Sequence, residues 1–92
     1  MNIAIIEDQK AQREALYQAI RDWLRTNAPT GRVMAYQSAE SFLFAWEEES
    51  FDLLLVDIQL PGESGIALVE HLRAKGHETM VVFITGVKEF VF

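Results

Sequence analysis

The 92-residue chain has no cysteine, which excludes disulfides and thiolate metal sites. It is short of positive charge, with 8 Lys and Arg against 14 Asp and Glu and a formal net charge of −6. A nucleic-acid-binding domain usually carries the opposite sign, and no basic run stands out, so direct nucleic-acid binding is not expected. No apolar run approaches the ~18 residues of a membrane span. The start, "MNIAIIEDQK", has neither the basic flank nor the long apolar stretch of a signal peptide. Glycine-rich nucleotide loops, P-loops and Ser-His-Asp patterns are also missing. These absences lead to the expectation of one cytoplasmic domain over residues 1–92, without a membrane segment.

Half of the residues are hydrophobic, enough for a packed globule. Residues 2–7, "NIAIIE", read as a short buried strand. Leu16, Ile20, Trp23 and Leu24 recur on one helical face, and Asn27, Pro29 and Gly31 close that helix. "RVMAYQ" (32–37) predicts a second strand. Ser38 caps a helix whose face is Ala39, Phe42, Leu43 and Trp46. "FDLLLVD" (51–57) is a third strand, and its unbroken apolar run predicts burial on both faces of a parallel sheet. A third helix follows, with Ile66, Leu68, Val69 and Leu72 inward and Gly76 as its stop. "TMVVFIT" (79–85) is the fourth strand. Trp23 and Trp46 are expected in the core, and His71 and His77 on the solvated surface. The alternation of strands and helices predicts an α/β, doubly wound parallel sheet.

Such sheets place their sites at the carboxyl ends of the strands. The first strand ends in Glu7-Asp8, the third in Asp57 and the fourth in Thr85-Gly86. Each has an ordinary explanation taken singly: a helix N-cap, a solvated strand end, a β-favouring Thr. Together they bring three carboxylates to one sheet edge. At ~5 Å and an effective dielectric of ~20, each like-charged pair costs about 3 kcal/mol, which calls for a counter-charge. Hard oxygen ligands with room for water suit Mg2+ better than zinc. A metal so held can neutralise phosphoryl oxygens while a carboxylate attacks phosphorus in line.

With Glu7-Asp8, "LLLVDIQLPGESG" and "VVFITG", the chain resembles the receiver domain of two-component response regulators, from its first strand to the start of its fourth helix. The resemblance implies a flavodoxin-like fold, here missing its last strand and helix. It also implies Asp57 as phosphoacceptor for a partner sensor histidine kinase. The Mg2+ ligands would be Asp8, Asp57, Glu7 mostly through water, and the backbone carbonyl of Gln59. Thr85 would be the switch hydroxyl and Gly86 the small residue admitting the phosphoryl group, while Pro61 and Gly65 shape the loop after Asp57, Gly65 by permitting an otherwise forbidden turn.

Such receivers also carry a Lys on a fifth strand, for which Lys10, Lys75 and Lys88 are no clear substitutes, and a switch aromatic that Phe90 and Phe92 cannot be assigned to. Weakened phosphotransfer and an exposed, self-associating fourth strand are therefore expected, with the Phe90–Phe92 tail as a cover. Two other functions compete. A receiver-like binding scaffold would keep the acids without phosphotransfer. An aspartate-nucleophile phosphohydrolase would want an acid two residues after Asp57, where Gln59 stands. A phosphoacceptor rather than a turnover enzyme is the leading reading.

Overall fold

A computed structural model describes residues 1–84. Thr85, Gly86, Lys88, Phe90 and Phe92 lie outside the described residues. The elements run β1 (Asn2–Ile6), α1 (Lys10–Asn27), β2 (Arg32–Tyr36), α2 (Ala39–Trp46), β3 (Leu53–Asp57), α3 (Gly65–Ala74) and β4 (Met80–Ile84). All four strands are parallel, in the order β2-β1-β3-β4. The order reverses at β1, whose neighbours are β2 on one side and β3 on the other. A crevice therefore opens between the carboxyl ends of β1 and β3.

One sheet face is well covered. Ala4, Ile6, Leu54 and Val56 are buried against Ala39 and Phe42 of α2 and Leu68 and Leu72 of α3. Ser38 caps α2 reciprocally with Ser41: its hydroxyl accepts from the Ser41 N–H at 3.1 Å, and the Ser41 hydroxyl accepts from the Ser38 N–H at 3.3 Å. Ser64 caps α3 by accepting from the Ala67 N–H at 3.1 Å. Gly76 stops α3 with φ +85°, its N–H donating to the Arg73 carbonyl at 3.0 Å. This is the expected left-handed stop, where a Cβ would be strained.

The opposite face corrects the expectation from "LLLV". Ile3 and Ile5 of β1 are buried there, whereas Leu53 and Leu55 of β3 are only half-buried. Next to them in register stand Met80 and Val82 of β4, 68% and 47% exposed. Helix α1 packs over β1 and β2, leaving β3 and β4 without a helix on this side among the described residues. Strand β4 is thus exposed and apolar, as expected, on its α1 side and at Phe83.

Three helix and surface assignments also change. Trp23 is half exposed, because Leu24 is the residue of α1 that points into the sheet and Trp23 lies 100° around the helix from it. Ile66 is exposed; Leu68 and Leu72, one turn apart, form the buried ridge of α3. His77 is partly buried and packs edge-on against Trp46 (centroids 5.0 Å apart), accepting a 3.4 Å hydrogen bond from its indole N–H. Trp46 itself packs against the core, stacking on Phe51, and His71 is exposed, both as expected. No helix among the described residues is long and apolar enough to cross a membrane.

Candidate functional site

The crevice is built by two strands that end in acid. The apolar run of β1 stops at Ile6, so Glu7 and Asp8 occupy the turn into α1. Helix α1 takes Gln9 as its N-cap residue, without a side-chain cap. The ordinary explanation of Asp8 as a helix cap therefore fails. Strand β3 carries Asp57 as its last residue, beside β1 in the register that pairs Ile6 with Val56. Glu7, Asp8 and Asp57 each bring a carboxylate oxygen within 4.8 Å of the others. Glu7 and Asp57 are 0% and 1% exposed, and Asp8 is partly buried.

Two backbone amides orient the buried pair. The Gln59 N–H donates to Asp57 Oδ1 at 3.0 Å, and the Gln9 N–H donates to Glu7 Oε2 at 3.3 Å. Burial, first, then its hydrogen bonds to Asp57 and Asp8, and last the Asp57 charge push the Glu7 carboxyl up from 4.5 to about 7, against the opposing pull of the Gln9 amide. A proton on Glu7 thus relieves the like-charge crowding that the sequence suggested only a metal could relieve. The same proton stands where a cation would bind, so the two compete.

The loop after Asp57 is held close. Leu60 is buried in the core, Pro61 is exposed, and the Ile58 N–H donates to the Ile84 carbonyl of β4 at 3.2 Å. The turn in this loop uses Gly62, at φ +76°. Gly65 has no such torsion, which corrects the reason expected for it. A Cβ on Gly65 would overlap the carbonyl of Asp57. The residue is glycine because the start of α3 packs directly on the backbone that carries Asp57, with the Gly65 N–H donating to the Ile58 carbonyl at 2.9 Å.

Sequence reasoning missed Arg13. Its guanidinium donates from Nη1 to the carbonyls of Glu7 at 3.0 Å and Asp8 at 3.2 Å, pinning the acidic turn from the first turns of α1. Its spacing of five and six residues from those acids was the available signal, but such an Arg reads equally well as a solvated helix residue.

The donor set is all oxygen, hard and partly open to water through Asp8, and fits a divalent ion of the Mg2+ class. Residues 3–91 match the family described as response regulator receiver domain. Among curated proteins, the chain is 30% identical over 87 residues to the two-component response regulator PhoP of Pseudomonas aeruginosa, covering 94% of this chain and 36% of that protein. It therefore spans about a third of that relative's length. The fold matches a CheY-like response regulator receiver domain from Methylobacillus flagellatus with a TM-score of 0.78 at 25% identity, over 94% of this chain and 70% of the other. The BeF3-activated receiver domain of DrrB, a Thermotoga maritima protein, matches with a TM-score of 0.73 at 26% identity, over 91% and 64%. With the family matched over residues 3–91, the chain belongs to the response regulator receiver domain family, the phosphoacceptor signalling modules of two-component systems.

Proposed function

We propose that Asp57 accepts a phosphoryl group from the phosphohistidine of a sensor histidine kinase, with Glu7, Asp8, Asp57 and the Gln59 carbonyl as the Mg2+ site. The observation that carries this reading is the convergence of three carboxylates at the β1/β3 switch point, two of them buried. Bound there, Mg2+ supplies positive charge against the phosphoryl oxygens. Strand β3 aims Asp57 and the Gln59 amide holds one of its oxygens, leaving the carboxylate to attack phosphorus. The new O–P bond forms as the P–N bond breaks, and the departing imidazole keeps the electron pair. Thr85 and Gly86 are the proposed switch hydroxyl and its small neighbour, and Pro61 and Gly65 the shapers of the loop.

The module is a phosphoacceptor and not a turnover enzyme, since Gln59 stands where an aspartate-based phosphohydrolase wants its acid. The proposed setting is the cytoplasm. Self-association through the apolar β4 region is part of the same reading, supported by the exposure of Met80, Val82 and Phe83. Incubation with acetyl phosphate and Mg2+, followed by peptide mass spectrometry, tests the main claim. One phosphoryl group on Asp57, abolished by EDTA and by Asp57→Asn, is the expected result. An unmodified Asp57 with Mg2+ still bound would replace phosphotransfer with the metal-binding scaffold.

A further inference from the structure

The sequence shows no basic run, but folding assembles a basic cleft. Five of the eight cations (Lys10, Arg13, Arg21, Arg25 and Arg32) fall between residues 10 and 32, against only Glu14 and Asp22 as acids. That segment is cationic in a chain whose net charge is −6. Tyr17, Arg21 and Arg25 recur at four-residue spacing and so share a face of α1. With Leu24 they look across at Val33 of β2 over an open cleft of about 430 Å³, which Arg32 borders from the edge strand with its side chain on the α2 side of the sheet. Leu24 is buried and forms an apolar floor. Among the described residues the sole ion pair at the cleft is a loose one, Arg32 Nη1 to Glu49 Oε2 at 4.0 Å, so no carboxylate approaches Arg21 or Arg25 this closely.

The cleft also borders a sheet edge. Strand β2 is outermost in the order β2-β1-β3-β4. Its far edge carries backbone N–H and C=O groups that no strand pairs among the described residues. Guanidinium groups, a tyrosine and an apolar floor beside an unpaired edge form a surface suited to an extended segment.

We propose that the α1–β2 cleft docks an extended acidic segment of a partner protein. Its carboxylates pair with Arg21 and Arg25 on the α1 side and, its side chains alternating along the strand, with Arg32 on the other face; its backbone lies along β2, and an apolar side chain rests on Leu24 and Val33. The geometry disfavours the other anionic occupants. A small-anion site is enclosed and converges its donors, whereas these arginines line an open trough. A nucleic-acid strand has no backbone that can alternately donate and accept along the open edge of β2, which a peptide segment has. Arg32 already pairs loosely with one carboxylate, that of Glu49. The proposal does not depend on Asp57 or on a metal.

An amide-resolved NMR titration of the chain tests it, using a short capped peptide of alternating glutamate and valine as probe. The expected result is a set of shifts concentrated over residues 17–34, with affinity falling steeply on raising the salt. The double charge reversal Arg21→Glu/Arg25→Glu weakens binding by about tenfold or more while the circular dichroism spectrum is retained. If that variant does not fold, the neutral pair Arg21→Gln/Arg25→Gln serves, with a smaller loss expected. Absent shifts, an equal response to a lysine-valine peptide, or undiminished binding by the folded variants would overturn the proposal. So would the same shifts from inorganic phosphate at equal concentration, or tighter binding of a single-stranded oligonucleotide.

Discussion

Glu7 offers a sharp test of the acid cluster, because one atom change removes its charge and keeps its shape. Its carboxyl is held at about 7 in the folded protein, against 4.5 for a free one. Between those values the native state keeps a proton that the unfolded chain has released. Stability from this group is therefore complete below about pH 4.5 and is lost as pH rises through about 7. A displacement of this size is worth about 2–3 kcal/mol, after allowing for relaxation of the site. Glu7→Gln imitates the protonated side chain at every pH, so it matches wild type near pH 5 and exceeds it near pH 8. For a domain of this size that excess raises Tm by roughly 8–20 °C. Melts of both proteins in EDTA across this range make the comparison, and subtracting one profile from the other cancels the carboxylates outside the cluster. Adding Mg2+ near pH 8 reverses the ranking, since wild type gains a ligand that the Gln side chain supplies poorly. Parallel profiles in EDTA would refute the reasoning, for they would mean that Glu7 ionises as easily folded as unfolded.

Asp57→Asn relieves the same crowding from the other strand. In EDTA near pH 8 it raises Tm, and the gain from Mg2+ shrinks; melts of the four combinations check both, and the Glu7→Gln/Asp57→Asn pair gains less than the sum of the singles. Gly65→Ala forces α3 away from the Asp57 carbonyl, costs about 1–3 kcal/mol in urea unfolding, and lowers Mg2+ affinity because the strand end moves with it. Arg13→Ala frees the Glu7-Asp8 turn; Mg2+ affinity measured by calorimetry falls several-fold, and Arg13→Lys restores it only in part because the shorter side chain does not bring its nitrogen as far as the Nη1 that bonds both carbonyls.

The parallel sheet and its acid edge were legible because β1 and β3 are short apolar runs broken sharply by a carboxylate, and because strand ends and sites coincide in this architecture. Periodicity was less reliable for what a face meets. The stripe of α1 was identified correctly, but Trp23 sits at its flank, and the sequence does not say how far over the sheet a helix lies. The same uncertainty explains β3: an unbroken run showed that both faces are apolar, not that a helix covers both. Gly65 was singled out for a torsion it does not use, since close backbone approach and left-handed torsion both demand glycine and look alike in sequence. Arg13 and His77 were hidden because their partners, backbone carbonyls and an indole N–H, carry no sequence pattern. The basic cleft was invisible for a related reason: its cations are spaced through α1 and into β2, and only the fold gathers them.

Whether Glu7, Asp8 and Asp57 grip one divalent ion can be measured directly by titrating the protein with Mn2+ and following paramagnetic broadening of its amide signals. The account predicts that broadening begins at residues 7–9 and 57–59 together and is reversed by Mg2+. Broadening that starts instead at the acidic run Glu47–Glu49, or that reaches the two strand ends at separate concentrations, would contradict it.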